Sequence, residues 1–356
     1  MARAKEFITK HNRVFTSVVI VIGVLTTVVC LFVFVKHGFI LFAAEDYETN
    51  LYTEVFGVFF SVFISVAVVG GWTEIRARQQ LKARLIRESG SRSNDIAISA
   101  VEWLRAKGWL TGDAGLLKEG NFKSANLQGA DLSEANLQSS HLGSANLREA
   151  TLDHTLLQDT NLCDADLQDV HSWHVNMQGA MMWNVKLQRA LLGAANLQKV
   201  ELHWSRLEQT KLPAANLQGA SLFLSNLQGA DLRNADLQEA ELTRANLSEA
   251  DLLRADLQKA KLKDADLTNS CLMGADLQNT NLSGANLQAV NMLGAQLQGA
   301  ILKDVNLRDA ILPDGKLHTI DTEMDRFTNP YHSAYMKTLE HISEIRKEMW
   351  LNRKPA

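Results

Sequence analysis

The sequence predicts an all-β solenoid joined to an N-terminal α-helical transmembrane hairpin and closed by helical caps. Three observations lead there. Leucine or a close substitute falls at every fifth residue from Phe122 to Leu317, two long uncharged apolar runs precede that repeat, and a helical apolar stripe follows it. The chain therefore divides into an N-terminal segment (1–13), the hairpin (14–72), a basic connector with capping helices (73–117), the repeat (118–318) and a C-terminal capping or dimerising helix (319–356).

A period of five matches neither the 3.6-residue helix nor the two-residue strand; one straight helix would scatter these leucines around its whole circumference. The chain instead turns a corner at each unit, four units to a coil. The central residue and the small residue two places before it point inward, and the other three point outward. Leu127, Leu132, Leu137, Leu227, Leu232 and Leu237 are representative core positions. Typical units are Ala125-Asn126-Leu127-Gln128-Gly129 and Ala245-Asn246-Leu247-Ser248-Glu249. This pattern resembles the pentapeptide-repeat family, A(D/N)LXX. The resemblance implies a right-handed quadrilateral β-helix, and at a strand spacing of ~4.8 Å about ten coils make a rod roughly 45 to 50 Å long.

Departures from the consensus compensate in volume. Ser172 replaces the central leucine where Val170 and Val175 replace the small residue on either side, and Met177, Met182 and Met292 serve as adaptable fillers. Gln follows the central residue at a spacing of ten, from Gln128 to Gln298, which puts glutamine on two opposite faces. Stacked amides of this kind are expected to form hydrogen-bonded ladders.

Val14 to Val35 and Val55 to Trp72 are each long enough to cross a hydrocarbon core of ~30 Å. Tyr47, Tyr52 and Trp72 take interfacial positions, and Gly57, Ser61 and Ser65 allow close helix approach. Arg3, Lys5, Lys10 and Arg13 precede the first span. Arg76, Arg78, Lys82, Arg84 and Arg87 follow the second, while the connection between them is acidic. This distribution predicts that both termini and the repeat are cytoplasmic, and the expected location is a bacterial inner membrane. The same five cations are candidates for contact with the membrane surface. Neither span carries an internal Arg, Lys or carboxylate of the kind that marks transporters. Cys30, Cys163 and Cys271 suggest no disulfide framework.

Thr73 to Glu88 reads as a basic helix broken by Gly90. Ser93 or Asn94 caps a second helix through Ala106, whose face Ile96, Ala100, Val101 and Leu104 is expected against the first coil. Solenoid ends expose apolar side chains and strand edges and so require caps. Asn329-Pro330 begins the final helix, with Met336, Leu339, Ile342, Ile345 and Met349 as its apolar stripe.

No Gly-rich phosphate loop, zinc-binding cysteine pair or nucleophile elbow occurs, so an enzyme is not expected, nor is a cofactor or metal. His154, His174 and His171 read as solvated surface side chains, lacking a carboxylate or thiolate at the same point. The stronger feature is aromatic. Trp183, His203 and Phe223 occupy equivalent positions in successive coils, Met181, Trp204 and Leu224 lie beside them, and Trp173 falls on the adjoining variable stretch. Such a strip marks a contact for a protein partner.

The quinolone-resistance branch of the family resembles duplex DNA and so engages DNA gyrase. Between Lys118 and His318, however, 24 acids are offset by 17 basic residues, against one charge per ~1.7 Å of axis in DNA. No basic stripe favours direct nucleic-acid binding either. The expectation is a membrane-anchored scaffold for protein interaction. A structural role in membrane organisation is the alternative, with homodimers formed through the hairpin or the C-terminal helix, and a gyrase-directed mimic is the weaker one.

Overall fold

The computed structural model describes residues 48–112 and 115–351. The first predicted span, Val14 to Val35, and Tyr47 lie outside the described residues. Contacts divide the chain into two units, Met1–Leu81 and Lys82–Ala356.

The second span and the basic stretch from Thr73 to Glu88 form no separate elements. One helix, α1, runs unbroken from Glu48 to Ser89. Gly70 and Gly71 do not interrupt it, since the neighbouring residues propagate the helix and Thr73 Oγ1 bonds back to the Gly70 carbonyl at 2.8 Å. Its stretch from Gly57 is apolar enough and long enough to cross a membrane, with a mean hydropathy of 1.8.

The second unit is the solenoid with its caps. Parallel bridges join residues twenty apart, from Asn121 with His141 to Asn291 with Ile311. Four five-residue units therefore make each coil. The six representative leucines are at most 2% exposed. The buried series starts one unit earlier than expected, at Leu117, and ends at Leu312. Leu317 is not in the core. It is 64% exposed, because the chain reverses there and pairs antiparallel with Ile311.

Each unit satisfies its own backbone. In the unit centred on Leu127, the leucine N–H donates to Asn146 O in the next coil and the Gly129 N–H to Arg148 O. Ala130 N donates to Leu127 O, closing a turn. The third residue of that turn has positive φ at every fifth position from Glu119 to Asp309, as a type II turn requires. One N–H per unit remains, that of the residue after the leucine. The Asn or Asp before the leucine accepts it: Gln128 N from Asn126, Ser133 N from Asp131, Gln238 N from Asp236, Ser248 N from Asn246. The consensus Asn/Asp is thus an acceptor for the last orphan amide.

The coil at Ser172 satisfies this amide differently. His171 stands where the acceptor belongs, so Trp173 N takes Asp153 Oδ1 of the preceding coil at 2.7 Å. His171–Trp173 (β1) and Leu191–Gly193 (β2) pair there as short parallel strands. Ser172 is fully buried and donates to the Leu152 carbonyl. Thr155, Thr160, Thr210 and Thr280 replace the inward alanine, and each hydroxyl reaches a leucine carbonyl one coil back.

The amide ladder that forms is mainly one of asparagine. Asn146 donates to Asn126, Asn196 to Asn176 and Asn246 to Asn226. Among the described residues a single Gln–Gln rung appears, Gln198 to Gln218. Glutamine runs without a break from Gln138 to Gln298 on one face. On the opposite face Arg148, Glu208, Ser248 and Thr268 interrupt it.

At the N-terminal end, Asn126 N donates to Ser91 O and Asn136 N to Leu110 O. These bonds cover the first edge. Helix α2, Asn94–Ala106, packs Ala97, Ala100, Val101 and Leu104 on the first coil. Ile96, expected on that face, is 47% exposed, because the face is rotated by one residue. Ser93 occupies the N-cap without a side-chain bond, while Asn94 donates its amide to Asn126 and to the Gln128 carbonyl. Docking to the coil takes the place of capping. At the other end the short helix α3, Asp325–Thr328, buries Phe327. The Gly299 N–H reaches the Thr328 carbonyl. Asn329-Pro330 lies in the turn after α3, and the final helix, α4, begins only at Tyr335 and ends at Leu351.

Two substitutions test the backbone accounting. Asn246→Ala removes the acceptor for Ser248 N and the donor to Asn226 and should cost about 1 to 2 kcal/mol in thermal unfolding. Ser270→Ala deletes a buried hydroxyl without a partner among the described residues and should raise stability by about 1 kcal/mol.

Candidate functional site

Outward residues of a solenoid become columns, so exposed side chains twenty residues apart must stack. His203 is the hub of such a stack. Its ring lies 6.2 Å from Trp183, 6.5 Å from Phe223 and 5.8 Å from Trp204. Two bonds fix the arrangement: Trp183 Nε1 donates to Glu201 Oε2 at 2.7 Å, and Ser221 Oγ lies 3.3 Å from His203 Nδ1. Trp183 is 43% exposed, Trp204 55%, Leu224 42% and Met181 37%. A self-shielding cluster would bury these rings. This one presents them.

Trp173 does not belong to this strip. Ten residues are half a coil, so Trp173 stands on the face opposite Trp183. Its indole lies over Gly193, where a Cβ would meet the ring at 2.6 Å. Its neighbours are His174, ring centroids 6.4 Å apart, and through it His154, stacked on His174 at 5.4 Å. With Leu191 these residues form a second, separate patch that the sequence reading had merged with the first. Among the described residues no group of three or more metal-ligating side chains converges, the three histidines included.

The basic residues of α1 diverge in role. Arg76, Arg78 and Arg87 are exposed, and Arg84 pairs with Glu88 at 2.7 Å. Lys82 departs from a pure membrane-facing role: its ammonium lies over the Trp109 ring, 5.1 Å from the centroid, within the N-terminal cap.

Charge on the rod is neutralised between coils. Lys186 meets Asp166, Arg189 meets Asp169, Lys259 meets Glu239 and Lys261 meets Glu241, each one coil away. The paired Arg189 guanidinium holds the Asp169 carboxyl below its ordinary range, and Arg233 does the same for Asp231. Asp256 runs the other way. Burial pushes its pKa up, and Asp276 and Asp236 in the flanking coils add to the effect. A cleft of about 270 Å³ lies beside that column, between α4 and the rod, lined by Arg254, Asp256, Asp276, Arg346 and Trp350 among others.

Helix α4, expected to cap the last coil or to dimerise, packs along the side of the rod. It lies lengthwise on one corner, where Arg346 donates to the carbonyls of Gly274 and Gly294 in successive coils. Met349 lies against both glycines and Ile345 against Gly294, where an added Cβ would sit 3.1 Å from Met349 Sδ. Arg254 donates to the Met349 carbonyl and stacks on Trp350 at 4.6 Å. The expected stripe is only partly used: Ile342 is buried and Met336 is 62% exposed.

These features define a five-residue β-solenoid whose surface carries side chains aligned in columns. The family model described as pentapeptide repeats matches it in eight copies, over residues 117–238 and 240–309. The chain belongs to the pentapeptide-repeat family, whose fold is the right-handed β-helix. It is similar to HetL of the cyanobacterium Nostoc sp. strain PCC 7120, a pentapeptide repeat protein involved in heterocyst differentiation regulation. That match has 32% identity over 62% of this chain and 99% of HetL, with a TM-score of 0.24. QnrB1, a plasmid-mediated fluoroquinolone resistance protein, matches at 18% identity over 46% of this chain and 84% of its own, TM-score 0.26. A pentapeptide repeat protein of the Arabidopsis thaliana thylakoid lumen matches at 26% identity over 32% and 89%, TM-score 0.18. No curated protein matches the chain.

The acid column supplies a test with a definite sign. Because the folded-state pKa of Asp256 is raised, its ionised form costs stability above that pKa, and the cost disappears as pH falls below the unfolded value. Asp256→Asn keeps the acceptor for Gln258 N and relieves the column. It should stabilise by about 0.5 kcal/mol at neutral pH, with the gain shrinking on acidification through the carboxylate range.

Proposed function

We propose that this protein is a non-enzymatic, membrane-anchored scaffold that holds a rigid solenoid in the bacterial cytoplasm for protein–protein interaction. The observation that carries the reading is the ring stack around His203, which is held by its own hydrogen bonds while still exposing Trp183 and Trp204. Large side chains kept exposed and rotationally fixed are what a binding hot spot requires, because little side-chain entropy is left to lose on association. Anchoring is supported by the apolar stretch of α1, by the uncharged run at Val14 to Val35, and by the basic residues outside both runs. Arg76 and Arg78 would face anionic headgroups.

The reported roles of HetL in differentiation regulation and of QnrB1 in fluoroquinolone resistance are compatible with a rod that acts by contact. A DNA-like surface is disfavoured here because Lys186, Arg189, Lys259 and Lys261 neutralise the acids of adjacent coils. The field that would attract a DNA-binding enzyme is interrupted at the spacing of one coil.

Affinity capture from native membranes tests the reading, run with the full-length protein and with a variant carrying Trp183→Ala, Trp204→Ala and Phe223→Ala. A partner present with the first and absent with the second is the expected outcome. Identical partners in both would sink the assignment of the strip.

A further inference from the structure

We propose that the open part of the rod's C-terminal end, centred on Ile301, binds an extended segment of a partner protein. The segment pairs antiparallel with the last coil and sets a basic residue followed by an apolar one against it. This contact is separate from the aromatic strip, lies at the end of the rod and is made chiefly by main-chain groups.

A solenoid end leaves strand donors and acceptors without partners, and the chain covers only part of this one. Within the rod each leucine N–H donates to the next coil, and the small residue before it accepts from that coil: Leu282 N donates to Ile301 O, and Ile301 N to Thr280 O. At the last coil the chain meets the same pair of groups once with a strand of its own. Leu312 N donates to Lys316 O and His318 N to Ala310 O, so Leu317 stands opposite Ile311 in an antiparallel pair. The α3 turn meets one more group, Gly299 N, through the Thr328 carbonyl. Two of the four sides receive nothing. Among the described residues the N–H groups of Leu302, Asp304, Leu307 and Asp309 and the carbonyls of Ala300 and Val305 have no main-chain partner. The inward side chains are uncovered there too. Leu302 and Val305 are partly exposed, whereas every central leucine from Leu117 to Leu297 is at most 2% exposed.

The bare side at Ile301 repeats the covered side at Ile311. Ile301-Leu302-Lys303-Asp304 stands ten residues before Ile311-Leu312-Pro313-Asp314, half a coil away. Ile301, 50% exposed, takes the place of Ile311, and Leu302 N–H and Ala300 C=O take the places of Leu312 N–H and Ala310 C=O. The strand on the covered side therefore shows what the bare side can hold. An extended residue opposite Ile301 brings the carbonyl of the residue before it to Leu302 N and the N–H of the residue after it to Ala300 O. This is a non-hydrogen-bonded antiparallel pair, in which the two side chains lie closest, so an apolar residue belongs opposite Ile301 as Leu317 is opposite Ile311. Charge selects the residue before it. Lys316, in that position on the covered side, reaches Asp314 at 4.0 Å. Asp304 is the equivalent of Asp314 and pairs with no cation among the described residues. A helix, whose amides and carbonyls are bonded within itself, does not meet such an edge. The bonds to Lys316, His318 and Thr328 place the chain's own cap in the layer beyond the last coil, which leaves beside it a step for one strand rather than a seat for a second rod end.

The test titrates full-length protein in nanodiscs with a short fluorescent peptide carrying Lys-Leu-Thr at its centre among alternating valines and threonines. Saturable binding is expected. Proline in place of the threonine after the leucine removes the N–H that Ala300 would accept and should weaken binding by about tenfold. Ile301→Asn installs the residue common at this position of the repeat and should weaken binding by about fivefold through loss of the apolar pair. Asp304→Lys should weaken it by about threefold, an effect that high salt removes. Lysine is accepted at this corner, as Lys199 and Lys259 show with the same positive φ. Trp183→Ala with Trp204→Ala should leave the affinity unchanged, so failure of the strip and failure of this site are read separately. Absence of saturation, or binding indifferent to both the proline and Ile301→Asn, overturns the inference. A dimer in sedimentation that the peptide splits and Ile301→Asn abolishes would make a second copy the occupant and overturn the assignment to a partner segment. The proline peptide keeps the test decisive should a variant lower the melting temperature, because it leaves the protein unaltered.

Discussion

The fold depends on one constraint, the main-chain register that joins each residue to the one twenty places on. Once it is set, the leucine and the small residue before it have only the axis to fill, and three positions per unit have only the surface. The register is strong enough to impose its conformation on the sequence. Every corner from Glu119 to Asp309 adopts positive φ, and 31 of those residues are not glycine. Left-handed backbone costs a non-glycine residue about 1 kcal/mol. Against it stand several main-chain bonds in each unit, at about 1 kcal/mol net apiece, and the burial of a leucine at about 2 kcal/mol. The corner residue can therefore be almost anything, and that freedom is what the surface uses.

The same register makes neighbours of residues far apart in sequence and leaves them no choice about it. Asparagine over asparagine forms a rung, and lysine over aspartate forms an ion pair. Aspartate over aspartate, as at Asp236, Asp256 and Asp276, adds repulsion to the burial that raises the pKa of the middle member. Exposed pairs of this kind contribute little to stability individually. Their larger effect is to interrupt the acidic surface, as where Lys186 faces Asp166 and Lys261 faces Glu241.

How much of this could be read from sequence depended on whether local spacing or arithmetic around the coil was needed. The five-residue period and the alternation of Ala125, Leu127 and Ala130 were enough for the core, because inward packing has the same period as the chain. The column of Trp183, His203 and Phe223 was visible for the same reason. Trp173 was misplaced because position around the coil depends on the remainder after division by twenty, and proximity in sequence hides a half-turn. The role of Asn126 and its equivalents was not legible, since a consensus Asn or Asp is as consistent with solubility as with an acceptor for one amide. Nor was the seat of α4, because Gly274 and Gly294 look like ordinary turn glycines until a methionine is found against them. The helix start was displaced from Pro330 to Tyr335 by the α3 turn, whose docking of Phe327 no local propensity announces.

A rod built this way cannot repack to suit a ligand. Its core side chains are fixed by coils on either side and its turns by hydrogen bonds on both edges, so recognition has to be written in single outward residues. This favours partners that are themselves regular and nearly commensurate with the coil repeat. A helix meets that condition over a few turns and then drifts out of step by roughly half an ångström per turn, the difference between ~5.4 and ~4.8 Å. Helix α4 has such a seat on the rod: Ile342 is buried, Arg346 bonds carbonyls in two successive coils, and Trp350 stacks on Arg254 in a third. The exposed row of Trp183, Trp204 and Leu224 likewise crosses three coils, with its large side chains held out at the surface.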